Sequence, residues 1–307
     1  MNLPMVSVLT PSFNQAAWLG DNLRSVATQT YPRIEHVVMD GGSTDGSVEL
    51  LRAAAGRDGS PVHFRSEPDR GQSHALNKAF AESRGEIIGW LNSDDAYFDR
   101  GAVGAVVKFF LRHPEVDVVY GHSALVNASG LILQMNWAPP YSRRLFRLHN
   151  FIIQPAAFIR RRALGDFVAD EAYDYAMDRE LWLRLAQHGT LARIDRVLAI
   201  DRHHLQRKSL SRPDLARVDY EMLRDAYGVR SGTRRARIQL KPVKVAFRLL
   251  GLTLVPAATR PLAFTGGVDS PGRLAWRQMA VKRAAMPAEG GLIGAPPVER
   301  IAQPAVR

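Results

Sequence analysis

Two adjacent aspartates, Asp94 and Asp95, are the residues of this sequence best suited to holding a metal ion. They directly follow an apolar run, EIIGWL at residues 86–91, which predicts a buried strand. Hard divalent cations prefer oxygen ligands, and Mg²⁺ typically takes one or two carboxylates together with substrate phosphates. A solvated acidic turn that caps the following helix would explain the same two residues, so the pair alone does not decide between these interpretations.

Asp178 is a candidate general base, because it begins a predicted helix at residues 178–188 that Leu181, Trp182 and Leu185 anchor by packing. A carboxylate held in place can take a proton in a transition state. An acid in the first turn of a helix is also favourable simply through the helix dipole, which is the structural alternative.

Further polar residues follow other predicted strands and turns. Asp40 ends a predicted strand, and Gly41 after it would let a nucleotide approach the backbone. Asp69 and Lys78 belong to a polar loop and the helix after it, where they would contact a ribose, base or phosphate or else be solvated. His204 follows a late strand and is a candidate metal ligand, although an unassisted histidine is more often structural.

Strands and helices alternate along the first 120 residues, and this alternation predicts the elements that position these side chains. Such a pattern implies right-handed βαβ crossovers, a mostly parallel sheet flanked by helices, and ligand binding beyond the carboxyl ends of the strands. Strands are predicted at residues 6–10, 34–39, 62–65, 86–91, 116–120 and 191–200, with helices at 72–83, 178–188 and 213–227. In the last helix, Leu215, Val218 and Met222 are predicted to face inward.

Composition excludes several classes of site. The 307 residues contain no cysteine, which rules out disulfides, thiolate zinc sites and cysteine nucleophiles. The N-terminal residues lack the pattern of a secretory signal, and no apolar stretch reaches the roughly 18 residues that a spanning helix needs. We therefore expect a cytoplasmic protein.

The formal charge of +11 is concentrated in the C-terminal third. Residues 1–100 carry 9 Lys/Arg and 13 Asp/Glu, whereas residues 201–307 carry 20 and 8. A basic tail can meet nucleic acid or an anionic lipid surface. Because its basic residues are scattered and lack interleaved aromatic side chains, we expect no nucleic-acid partner.

Taken in order, the motifs of this chain resemble those of family 2 glycosyltransferases, which have the GT-A fold and include many bacterial polysaccharide enzymes. Each motif is common singly, but the ordered set is specific. The matching stretches are VSVLTPSFNQ (6–15), VVMDGGSTDGS (37–47), SEPDRGQSHALNKAF (66–80), GEIIGWLNSDDAYF (85–98), QPAAFIRR (154–161), MDRELWLRLAQHG (177–189) and RHHLQRKS (202–209).

The resemblance implies a role for each candidate residue. Asp178 would be the catalytic base, and a divalent metal, Mn²⁺ or Mg²⁺, would be held by Asp94, Asp95 and His204. The residues implied to bind the nucleotide sugar are Thr10, Pro11, Phe13, Asp40, Asp69, Lys78 and Asp94.

Four positions depart from the family pattern. Many members have a second aspartate after the second strand, which often reads uracil, and here that position is Gly41. Asn92 and Ser93 occupy the first places of the metal motif, so that Asp95 must carry more of the coordination. Met177 replaces the glutamate before the base, which leaves Asp178 as the base candidate there.

These expectations define a domain plan and a function. A GT-A domain at residues 1–231 would comprise a Rossmann-like nucleotide-sugar-binding half (1–120) and an acceptor and catalytic-base half (121–231), followed by a basic extension (232–307). The expected reaction is inverting transfer of a sugar, from a UDP-sugar in the first instance, to a hydroxyl of a glycan or lipid-linked acceptor. The alternatives are an inactive nucleotide-sugar-binding protein on the same fold and a nucleotidyltransferase, although TPSFNQ is not the glycine-rich, basic phosphate loop that the latter would need.

The extension generates a prediction about membranes. Residues 241–256, KPVKVAFRLLGLTLVP, interleave three basic residues with apolar ones, a pattern that suits an anionic surface or, alternatively, packing on the catalytic domain. Each basic residue near such a surface contributes on the order of 1 kcal/mol. In vesicle co-sedimentation, the full chain should bind anionic but not neutral vesicles, and a chain ending near residue 232 should bind neither. Equal binding by both chains would show that the extension is not the anchor.

Overall fold

The computed structural model describes residues 3–128, 130, 132–207 and 213–230. The predicted basic extension, with its amphipathic stretch, lies outside these described residues. The strands are β1 (Val6–Ser12), β2 (Ile34–Asp40), β3 (Val62–Ser66), β4 (Ile87–Trp90), β5 (Ala96–Tyr97), β6 (Val118–Asn127), β7 (Ile132–Asn136), β8 (Ala157–Arg160) and β9 (Leu191–His203). The helices are α1 (Ala16–Ala27), α2 (Ser47–Ala55), α3 (Gln72–Glu82), α4 (Ala102–Arg112), α5 (Arg143–Leu148), α6 (Met177–His188) and α7 (Pro213–Tyr227).

The described strands form one mixed sheet in the order β3-β2-β1-β4-β8-β6-β9-β5, with β7 paired to β6. β1 to β4 are mutually parallel, as the alternating pattern predicts. Beyond β4 the sheet changes character, because β8 is antiparallel to both of its neighbours and β5 is antiparallel to β9. The α/β fold class is therefore confirmed, but the parallel arrangement holds chiefly for the first half of the sheet.

Burial explains why the first strands were readable from sequence. Every residue of β1 is buried, as expected of a central strand covered on both faces. α3 turns its apolar stripe, including Leu76 and Phe80, onto the sheet. That cluster continues to Trp182 of α6 and Leu223 of α7, so that one packed core extends across residue 120.

α7 corrects one prediction and reveals an unexpected contact. Val218 is 50% exposed, so the prediction that it faces inward is wrong. The inward face carries Leu223 and the nearly buried Asp219. Asp219 accepts hydrogen bonds from the backbone N–H groups of Tyr175 and Ala176, at 2.7 and 2.8 Å, directly before α6. α7 therefore fixes the start of the helix that carries Asp178.

None of the helices described in the structure is long and apolar enough to cross a membrane.

Candidate functional site

A cleft of about 690 Å³ opens at the carboxyl ends of β1, β2 and β4. Its other wall comes from the segment before β8, the start of α6, and α7. Six of the predicted site residues line it: Pro11, Phe13, Asp69, Asp94, Asp95 and Asp178. Carboxylates from three separate segments thus meet in one cleft, and those of Asp94 and Asp95 lie at the strand ends, where the parallel-sheet argument predicts a site.

Thr10, in contrast, lies beneath the cleft and does not line it. Its side chain is fully buried, and its hydroxyl donates to the carbonyl oxygen of Leu91 at 2.7 Å. The same hydroxyl lies 2.9 Å from Nε2 of His36. Burial lowers the pKa of His36 to about 3, so this histidine is neutral at physiological pH. Thr10 therefore ties β1 to the strand end that leads to the acidic pair.

Asp40 is also buried and shapes the turn after β2. Its carboxylate accepts from the backbone N–H groups of Gly42 and Ser43, at 3.1 and 2.9 Å. The hydroxyls of Ser43 and Ser66 donate to it as well. These bonds hold the turn so that Gly41 faces the cleft.

Gly41, Asp69 and Phe13 pack tightly at one end of the cleft. A methyl group placed on Gly41 would come within 2.8 Å of Asp69 Oδ2 and 3.2 Å of Phe13 Cδ2. Asp69 Oδ1 accepts from the backbone N–H of Gly71 at 2.8 Å, which orients the carboxylate. Phe13 is 60% exposed and presents an aromatic surface beside it. The missing side chain at position 41 thus makes room for Asp69.

Lys78 does not line the cleft. Its ammonium donates to Glu67 Oε1 at 2.7 Å, and this contact lowers the pKa of Glu67. The lysine is therefore positioned to support the loop that carries Asp69, and it would have to leave Glu67 to reach a ligand.

His204 meets Asp94 at the centre of the site. His204 Nε2 lies 2.9 Å from Asp94 Oδ2, and the imidazole stacks on Trp18 of α1 with ring centroids 3.8 Å apart. His204 is buried, and its Nδ1 has no hydrogen-bond partner among the described residues. The structure thus brings these two predicted metal ligands together, and they contact each other through a hydrogen bond.

Asp95 is buried beside two other carboxylates. Burial, Asp94 and Asp201 together raise its pKa well above the ordinary aspartate value. Its Oδ1 accepts from the backbone N–H of Arg202 at 3.0 Å. Asn22 of α1 donates to the backbone carbonyls of Asn92 and Asp95 at 2.8 and 3.2 Å. The turn at residues 92–95, here called the acidic turn, is thus fixed from both sides. Its carboxylates can bind a cation.

Two arginines that the sequence analysis did not single out offset the negative charge of these carboxylates. Arg202 is buried, and its guanidinium donates to Asp21 Oδ2 at 2.9 Å and to the carbonyl of Asp94 at 3.0 Å. Arg207 lies 2.8 Å from Asp201 Oδ1 and lines the cleft. The basic residues of RHHLQRKS were the signal that could have identified them.

Asn92, noted above as a departure from the family pattern, is the centre of a hydrogen-bond network. Its Oδ1 accepts from Gln72 Nε2 and from the Trp90 indole, each at 2.8 Å. Its Nδ2 donates to Gln154 Oε1 at 2.8 Å, and Gln154 donates in turn to the Trp90 carbonyl. The amide has both a donor and an acceptor, which a carboxylate lacks, and so it joins α3, β4 and the segment before β8.

Asp94 and Asp95 fit a divalent cation as a partial site. Among the described residues, no three side chains of His, Cys, Asp or Glu are grouped to hold a metal ion, and His204 is engaged with Asp94. Two carboxylates at the end of a strand are nonetheless a usual protein contribution to a cation that also binds substrate phosphates. The pKa of Asp95 is raised first by burial and then by repulsion from Asp94 and Asp201, and a cation would offset that repulsion.

Asp178 faces the cleft from the start of α6. Burial raises its pKa, although hydrogen bonding opposes this effect: Asn150 Nδ2 donates to Asp178 Oδ2 at 3.3 Å. The next residue, Arg179, turns away and is buried, donating to the carbonyl of Phe146 at 3.0 Å. Asp178 is thus a partly desolvated carboxylate on a rigid support.

Two further polar atoms in the cleft have no hydrogen-bond partner among the described residues. In the part of the chain that the structure describes, Ser12 Oγ and Gln15 Oε1 are buried without a hydrogen-bond partner, and both residues line the cleft. Buried polar atoms are usually paired in folded proteins. Their position predicts that a polar ligand completes this part of the site.

Comparisons with known proteins agree with this arrangement. The model of the family described as Glycosyl transferase family 2 matches residues 7–167. Chondroitin synthase of Pasteurella multocida is 29% identical over 201 residues, which are 64% of this chain and 20% of that protein. A PGL/p-HBAD biosynthesis glycosyltransferase of Mycobacterium bovis is 29% identical over 167 residues, covering 54% and 62% of the two chains. This chain thus spans about a fifth of the first relative and under two thirds of the second.

Two solved structures share the fold. S. aureus TarS 1–349 in complex with UDP-GlcNAc aligns with a TM-score of 0.57 and 18% identity, over 83% of this chain and 77% of that one. The mannosyltransferase PcManGT from Pyrobaculum calidifontis, in complex with GDP-Man and Mn²⁺, aligns with a TM-score of 0.55 and 20% identity, over 93% and 76%. At these identities the likeness establishes the fold.

The charge balance of the site predicts a measurable stability effect. Arg202→Ala should lower the free energy of unfolding by about 3 kcal/mol, because it removes a buried donor from Asp21 and from the Asp94 carbonyl. Arg52→Ala is the control, since that side chain is 66% exposed and should change stability by less than about 1 kcal/mol. Equilibrium urea unfolding measures both. Equal changes for the two variants would contradict a structural role for Arg202.

Proposed function

Because this chain belongs to glycosyl transferase family 2, and is therefore a glycosyltransferase, we propose that it moves a sugar from a UDP-sugar to a hydroxyl of a glycan or lipid-linked acceptor, with inversion at the anomeric carbon. The observation that supports this proposal most directly is the cleft itself. It brings together Asp69, the Asp94–Asp95 pair and Asp178, the carboxylates that would recognise the nucleobase, hold the metal and activate the acceptor.

Asp69 and Phe13 support uridine as the base of the donor. The Phe13 ring offers a face on which a base can stack, and the Asp69 carboxylate beside it offers a hydrogen-bond acceptor. Uracil carries a ring N–H that suits such an acceptor, and so does guanine, whereas cytosine and adenine offer only an exocyclic amino group. Asp69 would thus recognise the uracil, a role that Gly41 cannot fill because it has no side chain.

Asp178 is the proposed general base. An acceptor hydroxyl is a poor nucleophile near neutral pH, and a positioned carboxylate that takes its proton contributes typically 10²–10⁴-fold. The raised pKa of Asp178 brings its basicity closer to that task, while Asn150 holds the carboxylate in place. A single displacement then inverts the anomeric carbon without a covalent enzyme intermediate.

The leaving diphosphate is the second chemical requirement. Arg207 lines the cleft and carries a charge that can offset the negative charge on the departing group. Asp94 and Asp95 are the proposed holders of Mn²⁺ or Mg²⁺, with His204 supporting Asp94. When bound there, the cation would act as a Lewis acid toward the diphosphate.

The relatives and the basic extension support the proposed acceptor and the proposed place of the reaction. Relatives of this chain include proteins named chondroitin synthase and O-antigen biosynthesis protein RfbC, which supports a role in building polysaccharides. We place the reaction in the cytoplasm, with the extension in peripheral contact with the inner membrane face if the vesicle test succeeds.

A donor screen tests the proposal. Purified protein would be incubated with Mn²⁺ or Mg²⁺ and sugars linked to UDP, GDP, CDP or ADP, and nucleotide release measured. We expect release from a UDP-sugar and little from CDP- or ADP-sugars. Tight binding of a UDP-sugar with no release under any acceptor condition would favour an inactive binding protein, and release from CDP- or ADP-sugars would overturn the base assignment.

Two substitutions test the role of Asp178 as the general base. Asp178→Asn should lower turnover by at least about a hundredfold with little change in nucleotide affinity. Asn150→Ala removes a hydrogen bond that favours ionised Asp178, so its pKa should rise and the acidic limb of the pH–rate profile should move to higher pH. Asn136→Ala, on a strand away from the cleft, is the control. An unmoved acidic limb in Asn150→Ala would assign that limb to another group.

A third substitution examines the metal. Asp95→Ala should abolish transfer while leaving the fold intact, since it removes one of the two carboxylates that would hold the cation. Wild-type turnover should fall to background in EDTA and return when Mn²⁺ or Mg²⁺ is added. Full wild-type turnover in EDTA would contradict the metal site, even if Asp95→Ala is inactive.

A further inference from the structure

A second cavity, of about 300 Å³, lies where α5, α6 and the end of α7 meet. It is separate from the cleft, with which it shares no lining residue. Its lining is Tyr141, Arg143, Arg147, Leu183, Ala186, Gln187, Ala226, Tyr227 and Gly228.

The charge of this cavity is entirely positive. Arg143 and Arg147 are its charged residues, and no carboxylate lines it. Within the described residues neither arginine forms an ion pair, whereas Arg162 and Arg184 on neighbouring elements are each paired with a carboxylate. An arginine pair without an internal counter-charge suits an external oxyanion, because guanidinium groups match the geometry of carboxylate and phosphate.

Neutral donors accompany the two arginines. The phenol of Tyr141 and the amide of Gln187 line the same cavity. Burial raises the pKa of Tyr141, while Arg143 and Arg147 act to lower it, so that both guanidinium groups lie close to the phenol. Leu183 and Ala186 form an apolar floor, which suits the carbon skeleton of a sugar.

A short stretch of backbone, from Arg147 to Asn150, joins the edge of the cavity to the residue that contacts the proposed general base, Asp178. The carbonyl of Arg147 accepts from the backbone N–H of Arg230 at 2.9 Å and lies 3.4 Å from the guanidinium of Arg179, the residue after Asp178. Three residues beyond Arg147, Asn150 donates to Asp178. Three residues span at most about 11 Å between Cα atoms, so that the backbone at Arg147 lies no farther than this from the backbone at Asn150.

We propose that this cavity binds a carboxylate or phosphate group of an acidic acceptor glycan, while a more distant sugar of the same glycan presents its hydroxyl to Asp178. The direction toward Asp178 rests on the proposed function, whereas the oxyanion site does not. The acceptor would then be selected by charge at Arg143 and Arg147, apart from the residues that hold the donor.

Binding of defined sugars to the full chain tests the site. The probes are trigalacturonate, with its methyl ester as the neutral counterpart, and glucose 6-phosphate, with glucose as its counterpart, each titrated at low salt by calorimetry or ligand-observed NMR. We expect one or both acidic probes to bind and the neutral ones not to bind. The double variant R143Q/R147Q should weaken binding about tenfold or more, since it removes charge-assisted hydrogen bonds.

Arg144→Gln is the matched control, because Arg144 carries the same charge on the same helix but does not line the cavity. Arg143, Arg144 and Arg147 are all exposed, so the control is also matched in exposure. It should leave the affinity within about twofold, because Arg144 does not line the cavity. Equal losses in R144Q and R143Q/R147Q, or equal binding of acidic and neutral probes, would overturn the site.

Two measurements separate this inference from the proposed reaction. R143Q/R147Q should keep the thermal stability of the wild type and its rate of nucleotide release from the donor alone. Asp178→Asn should keep the affinity for the acidic probe. Probe binding without any transferase activity would refute the reaction and retain the oxyanion site, and transfer without probe binding would do the reverse.

Discussion

The site depends on balancing buried negative charge at the end of β4. Burial raises the pKa of Asp95 and of Asp201, and the neighbouring charge of Asp94 raises both further. Arg202 and Arg207 offset part of that charge, one from beneath the cleft and one from its wall. The remaining negative charge faces the cleft, where a cation and a diphosphate can be taken up together.

Much of the fold and several site residues were predictable because their signals are local. The β-branched run of β1 and the apolar stripe of α3 each follow the period of their element. Once the first four strands are taken as parallel, their carboxyl ends meet at one edge, and this places Asp69 and the Asp94–Asp95 pair together. Asp178 was identifiable through its resemblance to the family motif.

The rest depends on contacts between distant parts of the chain. Arg202 binds Asp21, which is 181 residues away, and no local pattern announces that pairing. Asp40 shows a second difficulty, since a carboxylate at a strand end has the same sequence whether it faces a ligand or, as here, closes its own turn. The antiparallel insertion of β8 was missed because a short strand between irregular segments has too little periodicity to predict its partner.

β9 gives the site a particular folding history. This strand pairs with β6 along most of its length and ends beside the acidic turn, where the backbone of Arg202 meets Asp95 across 107 residues. Contacts of such sequence separation close late, because the entropy of the intervening loop must be overcome first. A nascent chain that has emerged only as far as α6 therefore carries its acidic residues without their counter-charges. The acidic turn therefore acquires Arg202 and Arg207 only when synthesis has passed β9.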